Sequence, residues 1–240
     1  MDIGVPLRDL GKVDVEPLNL RLAELDESAW TRNALRQELL AGGAHDATQS
    51  ILFKYEWRPQ PDKIAVNNFE DVIWLWCKHK GLDPTPFLPI ERQDTDRRAV
   101  YTFPDYLTFK EVLDPLVAQV IGRLGKPGGI VTRLALVRLP AGGRIMPHVD
   151  GHETAPVAHR LHVSLTASPS VVYKIGGRKF TMAAGHAYDF NNCVQHSVRN
   201  TSRLPRINLF VDYYASPGPV IRNPLQELPP MYAPAAKRVA

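Results

Sequence analysis

The sequence has little cysteine and no long apolar run, and these absences exclude several classes of protein. Its 240 residues contain only two cysteines, Cys77 and Cys193, far apart in the chain. Neither a disulfide framework nor a CxxC metal motif is therefore available. No stretch approaches the roughly 18 uninterrupted apolar residues that cross a bilayer, and the first residues, MDIGVPLRDLGK, lack the features of a secretory signal. We expect a cytoplasmic protein with reduced cysteines and no membrane partner.

An excess of charge of one sign is also missing. The formal net charge is +4, and no run of lysine and arginine forms the kind of basic patch that binds nucleic acid. We therefore expect no nucleic-acid partner. A composition of 44% hydrophobic and 22% charged residues is typical of a globular protein, and 240 residues are enough for a sizeable core.

The first half of the chain has mainly helical patterns. Asp26 is a candidate N-cap for a helix over ESAWTRNALRQELLAGG, and Asn67 and Glu70 form a candidate capping box for NNFEDVIWLWCKHKG. Apolar residues at i, i+3, i+4 spacing in TFKEVLDPLVAQVIGRLG predict a third helix. Pro115 either kinks that helix or, with Asp114 as its cap, begins a second part. Between the first two helices, SILFKYEW predicts a strand.

From residue 130 onward the pattern changes to short strands separated by turn residues, which is typical of a β-sandwich or barrel. The predicted strands are IVTRLALVRL, RIMPHV, HRLHVSLT, VVYKI, RKFTM, HAYDF, VQHSV and RINLFVDYY. We expect one mainly β, α+β domain over residues 1–214, in which residues 1–127 support a core of residues 128–214. Residues 215–240, rich in proline and alanine, are expected to form an extended tail.

One histidine and one aspartate in the segment IMPHVDG lie two residues apart. In a strand, His148 and Asp150 project from the same side while Val149 points away. His196 occurs in another predicted strand, 48 residues later. Two imidazoles and one carboxylate make up the facial triad of non-haem Fe(II) oxygenases, which leaves three coordination positions open. We predict that these three residues bind iron.

An arginine ten residues after His196 supports this prediction. Arg206 opens the apolar strand RINLFVDYY, and an unpaired charge is costly to bury, so it needs an anionic partner. A guanidinium group can hold a carboxylate through two parallel hydrogen bonds. This arrangement suits a dicarboxylate co-substrate that chelates iron at one end and pairs with Arg206 at the other.

With these residues in this order, the sequence resembles the Fe(II)/2-oxoglutarate-dependent oxygenases of the aspartyl/asparaginyl β-hydroxylase family, which also includes bacterial proline hydroxylases. The resemblance lies in LPAGGRIMPHVD, HRLHVSL, YDFNNCVQHSVRN and RINLFVDYY. It implies a double-stranded β-helix core, similar to that of jelly rolls and cupins, supported by N-terminal helices. It also implies Fe(II), 2-oxoglutarate and O2 as cofactors, with His148, Asp150 and His196 as iron ligands and Arg206 as the 2-oxoglutarate anchor.

Two further residues match the family, and two others differ from its animal members. Arg160 and His162, on one face of HRLHVSL, match family positions that contact 2-oxoglutarate or the substrate carboxylate, so we expect both to bind the co-substrate. Asp150 is a departure from the animal aspartyl hydroxylases, which lack this carboxylate, and it favours the bacterial amino-acid hydroxylases. Val137 stands where those animal enzymes have a serine beside 2-oxoglutarate.

The remaining histidines and the second cysteine have simpler interpretations. We interpret His152 and His159 as loop residues, His186 as a turn residue, His45 and His79 as surface residues, and Cys193 as a small packing residue.

The expected reaction is hydroxylation of an unactivated C–H bond in an amino acid, with conversion of 2-oxoglutarate to succinate and CO2. The amino acid is either free or a residue within a peptide. The alternative is a cupin-like metal-binding protein, an isomerase or sensor, that does not turn over 2-oxoglutarate. Arg206 separates the two, since a cupin needs no arginine ten residues after its last ligand. A pure interaction protein would leave the metal-binding pattern unexplained.

Overall fold

The computed structural model describes residues 1–32, 42–57, 69–95, 98–151, 154–216 and 221–223. The helices in these ranges are α1 (Glu16–Ala23), α2 (Phe69–Lys80) and α3 (Asp105–Leu124), with short 3-10 turns at Glu27–Trp30 and Thr85–Phe87. The strands are β1 (Leu7–Lys12), β2 (Gln49–Trp57), β3 (Glu91–Asp94), β4 (Ala99–Thr102), β5 (Ile130–Leu139), β6 (Arg144–His148), β7 (His159–Ser164), β8 (Val171–Ile175), β9 (Arg178–Phe180), β10 (His186–Phe190), β11 (His196–Asn200), β12 (Arg206–Tyr214) and β13 (Ile221–Asn223).

The strands form two antiparallel sheets, and the chain alternates between them. The major sheet has the order β1-β10-β7-β12-β5-β2-β4-β3-β13, and the minor sheet has the order β6-β11-β8-β9. From β5 to β12 the chain passes repeatedly from one sheet to the other, with the β8–β9 hairpin as one unit of the minor sheet. This alternation defines a double-stranded β-helix, so the predicted fold class is confirmed.

The pleat of the major sheet divides its residues between two environments. On β5, Leu134 and Leu136 point outward and join the core that α3 covers with Phe109, Leu113, Leu116 and Val120. Each of these fully buried apolar side chains contributes about 1.5–3 kcal/mol relative to exposure. Arg133, Ala135 and Val137 alternate with them and line a cavity on the inner face. The outer face therefore supplies much of the core, and the inner face is available for a functional site.

Most of the elements predicted from the sequence are present. Each of the eight segments predicted between residues 130 and 214 contains a strand, four of them with the predicted bounds. Asp26 is an N-cap and accepts a hydrogen bond from the Ser28 backbone N–H at 2.7 Å, but a short 3-10 turn follows it. Residues 33–41 of that predicted helix and Asn67 of the next lie outside the described residues.

Helix α3 is a single element, and part of the tail is a strand. Pro115 lies inside α3, which excludes a second helix beginning at Asp114. Residues 221–223, within the segment predicted as an extended tail, form β13, which pairs with β3. Among the described residues, no helix is both long and apolar enough to span a membrane.

The close packing at Gly129 yields a stability test. Its backbone N–H donates to the Tyr213 hydroxyl at 2.7 Å, and a Cβ there would lie 2.6 Å from that oxygen and against the Tyr214 carbonyl. We expect Gly129→Ala to lower the free energy of unfolding by about 1–3 kcal/mol, as overpacking does. Chemical denaturation measures this change.

The same substitution at Gly122 is the matched control. Gly122 is exposed in α3. Apart from the neighbouring backbone of its own helix, no atom of the described residues lies within 4 Å of the position that an added methyl group would take, so Gly122→Ala should raise stability by about 0.5–1 kcal/mol. Equal effects of the two substitutions would contradict the packing described for Gly129.

Candidate metal centre

Two histidines from different strands meet in the minor sheet. His148 ends β6, His196 begins β11, and the antiparallel register places them opposite one another. Their ring centroids are 4.2 Å apart. Strand pairing thus joins residues that are 48 positions apart in the sequence, as the predicted site requires.

The orientation of both imidazoles leaves one nitrogen of each available to a metal. Nδ1 of His148 donates to the Met146 carbonyl at 2.7 Å, and Nδ1 of His196 donates to the Val194 carbonyl at 2.9 Å. Because a carbonyl only accepts, Nδ1 carries the proton and Nε2 carries the lone pair in each neutral ring. Backbone contacts of this kind orient histidine ligands in metal sites.

Asp150 completes the set of donor atoms. Its Oδ1 lies 3.4 Å from Nε2 of His148 and 3.8 Å from Nε2 of His196. Burial lowers the pKa of His196. Burial acts in the same direction on His148, but the Asp150 carboxylate and the Met146 carbonyl together outweigh it and raise the pKa of His148. Two neutral nitrogen donors and one carboxylate oxygen that face one another fit a divalent transition metal such as iron.

Arg160 fixes the orientation of Asp150. Its Nη1 donates to Asp150 Oδ2, while Nε and Nη2 donate to the two carboxylate oxygens of Asp212, each at 2.8 Å. Asp150 Oδ1 is thereby left facing the histidines. Three of the five N–H groups of Arg160 thus donate to carboxylates, and its contact with the co-substrate stays a prediction.

A third histidine lies at this centre and was not predicted there. The His45 ring packs edge-on against His148 with 4.6 Å between centroids. Ligand atoms of His45, His148 and Asp150 all lie within 4.8 Å of one another. The interpretation of His45 as a surface residue is therefore wrong. No spacing motif connects residue 45 to the β-strand ligands, so the sequence carried no signal for this contact.

Arg206 lies buried in a small cavity beside the histidines. Its side chain is 2% exposed, and Nε, Nη1 and Nη2 have no hydrogen-bond partner among the described residues. The guanidinium carbon lies 5.7 Å from the centroid of the Tyr173 ring, a cation–π contact. His196 and His162 line the same cavity. A buried cation without a counter-ion fits an anionic ligand.

His162 forms a neutral polar wall of that cavity. Its ring stacks on Phe190 with 4.6 Å between centroids and contacts Phe210 at 4.1 Å. Both ring nitrogens are buried without a hydrogen-bond partner among the described residues. Burial, together with the positive charges of Arg160 and Arg206, holds the pKa of His162 well below its usual value. A neutral imidazole can either donate a hydrogen bond to a ligand or accept one.

A larger cavity of about 400 Å³ adjoins the same centre. Four residues line both cavities, so the two spaces meet at the metal centre; these residues are His45, His148, Arg160 and Phe210. The other walls of the larger cavity are mostly apolar and include Leu52, Tyr55, Ala135, Val137 and Val149, with Lys54 and Arg133 as further cations. The centre is thus open on two sides.

The remaining candidates lie elsewhere or play structural parts. His159 is buried in β7, with Nδ1 3.0 Å from Asp189 Oδ2, so its interpretation as a loop residue is wrong. His186 begins β10 beside Asp9. Cys193 is half-buried and contacts the Ala155 carbonyl. His152 lies outside the described residues.

A family model matches the part of the chain that carries the site. The family model for aspartyl/asparaginyl beta-hydroxylase matches residues 112–216, which include β5 to β12 and all six predicted site residues. The predicted resemblance to this family is therefore confirmed over residues 112–216. A search of the curated proteins finds no significant match.

Several solved structures are similar to parts of the chain. A member of the 2OG-Fe(II) oxygenase family from Burkholderia pseudomallei is 18% identical, covering 54% of this chain and 67% of its own, with a TM-score of 0.39. A cupin domain from Bordetella pertussis Tohama I is 19% identical over 37% of this chain and 95% of its own, with a TM-score of 0.28. The nickel complex of the non-haem monooxygenase ThoJ is 20% identical over 52% and 62%, with a TM-score of 0.34.

The neutral state of His162 predicts a pH dependence of stability. Its pKa is lower in the folded protein than the value of about 6.5 expected when unfolded, so below that pH the unfolded chain binds more protons. Protonation of His162 in the unfolded chain therefore lowers the free energy of unfolding as the pH falls below about 6.5, by up to about 1.4 kcal/mol per pH unit. Above that pH the contribution of His162 to stability is fully retained.

Replacing His162 with phenylalanine keeps an aromatic ring and removes the titrating nitrogens. With chelator present, we expect His162→Phe to lose less stability than wild type between pH 7 and pH 5. Urea unfolding at each pH measures this difference. Parallel stability profiles for the two proteins would contradict a depressed pKa at His162.

Proposed function

We propose that the protein is an Fe(II)/2-oxoglutarate-dependent dioxygenase that hydroxylates an unactivated C–H bond of an amino acid, either free or within a peptide. The observation that carries this proposal is the donor set of His148, Asp150 and His196 beside the buried Arg206, whose guanidinium has no hydrogen-bond partner among the described residues. In the overall reaction, O2 adds one oxygen atom to the substrate C–H and one to the succinate formed from 2-oxoglutarate, with release of CO2.

The protein's contribution is to hold the reactants. Iron(II) bound at the triad would supply the oxidation chemistry. The Met146 and Val194 carbonyls fix the two imidazoles, and Arg160 fixes the carboxylate, so the donor atoms are oriented before a metal binds. Three protein donors leave three positions for ligands.

The small cavity provides a site for 2-oxoglutarate. Arg206 can pair bidentately with the distal carboxylate while the 2-oxo acid end lies at the triad. This pairing would supply the counter-charge that Arg206 lacks among the described residues. His162 can add a hydrogen bond from its neutral ring without placing another charge in the cavity.

The larger cavity has the character of a site for an apolar molecule with a carboxylate. Arg133 is its distinctive feature: the guanidinium lies 5.0 Å from the centroid of the Tyr55 ring, with Nε 3.2 Å from Glu56 Oε1. Its terminal nitrogens make no hydrogen bond to the described residues, so they can bind a substrate carboxylate. Ala135 and Val137, on the same strand face, can contact an apolar body. These features favour an apolar amino acid or the C-terminal residue of a peptide.

The alternative function is metal binding without 2-oxoglutarate turnover, as in a cupin-like isomerase or sensor. Such a protein would use the metal ligands of the site. It would not explain why Arg206 is buried with no hydrogen-bond partner among the described residues. We therefore favour the oxygenase, and the cupin-like function is the alternative outcome of the experiments below.

Succinate release tests the oxygenase reaction. Wild-type protein with Fe(II), 2-oxoglutarate and a panel of amino acids and peptides should release succinate in proportion to a product with one added oxygen. His148→Ala and Asp150→Ala should lose this turnover because each removes a metal donor. His79→Ala, at an exposed position near the end of α2, should retain it.

The anchor is tested by Arg206→Met in the same assay. Loss of charge-assisted hydrogen bonds worth about 1.5–3 kcal/mol should raise the KM for 2-oxoglutarate roughly 10- to 100-fold. Turnover that persists in His148→Ala or Asp150→Ala would contradict the assignment of these residues as metal ligands. An unchanged KM for 2-oxoglutarate in Arg206→Met would contradict the role of Arg206 as the carboxylate anchor.

Arg133 gives a separate test of the substrate class. Apolar amino acids and C-terminal peptides should bind at least about tenfold more tightly than their amides, since only the acids can pair with the guanidinium. Ligand-observed NMR of metal-loaded protein measures both affinities. Arg133→Met should abolish the preference, whereas Arg144→Met, at an exposed position on β6, should preserve it. An undiminished acid preference in Arg133→Met would show that the carboxylate binds elsewhere.

A further inference from the structure

His45 reaches the candidate metal centre from outside the β-helix strands. Its ring contacts His148 edge-on, and its nearest ligand atom lies within 4.8 Å of those of His148 and Asp150. His196 also approaches this aspartate, with Nε2 3.8 Å from Asp150 Oδ1. The centre therefore contains three imidazoles and one carboxylate, one donor more than the predicted triad.

Backbone hydrogen bonds hold His45 in this position. The preceding residue, Ala44, accepts a hydrogen bond at 3.1 Å from the Met146 backbone N–H, two residues before His148 on β6. The His45 carbonyl accepts from the Thr48 backbone N–H at 2.8 Å and from its hydroxyl at 2.7 Å. Thr48 is itself only 2% exposed. The turn that carries His45 is thus attached to the strand that carries the first predicted ligand.

His45 also occupies the boundary between the two cavities. It lines the small cavity with Arg206 and the large cavity with Arg133. A group at this boundary faces the side of the centre where ligands from either cavity must approach. Any ligand position that His45 takes is therefore one that co-substrate or substrate would otherwise use.

We propose that His45 is a third imidazole donor to the metal, which takes one of the positions that the triad leaves open while the cavities are empty. This proposal rests on the metal site of the proposed function. A neutral imidazole is a common ligand for divalent transition metals. With His45 bound, two positions remain, which is the number that 2-oxoglutarate needs to chelate. The last position becomes free only when His45 leaves, so consumption of 2-oxoglutarate without substrate should be slow.

Counting the coordinated imidazoles tests the proposal directly. Metal-free protein is loaded with one equivalent of Cu(II), and pulsed EPR counts the coupled imidazole nitrogens. We expect three imidazoles in wild type and two in His45→Phe, which keeps the aromatic edge contact and removes the donor. His45→Gln, a smaller polar replacement, should also give two, and His79→Phe should give three.

Metal affinity and uncoupled turnover provide independent measurements. Loss of a direct donor should weaken Co(II) binding by at least the roughly 10- to 100-fold typical of losing an outer partner. Succinate release without substrate should rise in His45→Phe relative to wild type. Circular dichroism and thermal unfolding of the metal-free variants establish that the fold is intact.

The possible outcomes separate this proposal from the function on which it rests. Two imidazoles in both wild type and His45→Phe, with equal Co(II) affinity, would overturn the role of His45 and leave the triad intact. Failure of wild type to bind Cu(II) or Co(II) would overturn the metal site itself, and the proposed function with it. Three imidazoles in wild type and two in His45→Phe support the proposal.

Discussion

The ion pair between Arg160 and Asp212 is the interaction on which the site depends. The two residues lie opposite one another on neighbouring strands β7 and β12, and Arg160 spans both carboxylate oxygens of Asp212. Nη1 of Arg160 also donates to Asp150, so one buried guanidinium links the major sheet to the residues that follow β6. Removing one partner of such a pair costs about 3–5 kcal/mol because a buried charge is left alone. Strand register therefore determines the orientation of Asp150, the proposed carboxylate ligand of the metal.

A second buried arginine shows the opposite arrangement. Arg160 and Arg206 are 8% and 2% exposed, yet only Arg160 has carboxylate partners among the described residues. The fold thus accepts an unfavourable charge at Arg206, a cost that an anionic ligand can offset. Sites that bind ligands tightly often retain such unsatisfied groups at the expense of stability. The contrast between the two arginines distinguishes their parts: Arg160 orients Asp150, and Arg206 is the proposed binding group for an anionic ligand.

The sequence predicted the β-helix strands and the pair His148 and Asp150 because both depend on local spacing, whereas His196 was proposed with them because a facial triad needs a second imidazole. Period-2 alternation and turn residues mark β5 to β12, and the pair His148 and Asp150 lies within one segment. The partner of Arg160 was not predictable, since strand register sets a contact across 52 residues. His45 was missed for the same reason: its turn reaches the centre only through tertiary packing. The short strands β3 and β4 lack a strong pattern, and β13 is recognisable only through its pairing with β3.

The central claim is that one centre binds Fe(II) at the triad and 2-oxoglutarate between that metal and Arg206. Anaerobic titration of the Fe(II)-loaded protein with 2-oxoglutarate measures this directly through the visible charge-transfer absorption of the chelate. The account predicts a saturable band in wild type and a much weaker 2-oxoglutarate affinity in Arg206→Met. Fe(II) binding in wild type with no band at saturating 2-oxoglutarate would contradict it and favour a cupin-like metal protein.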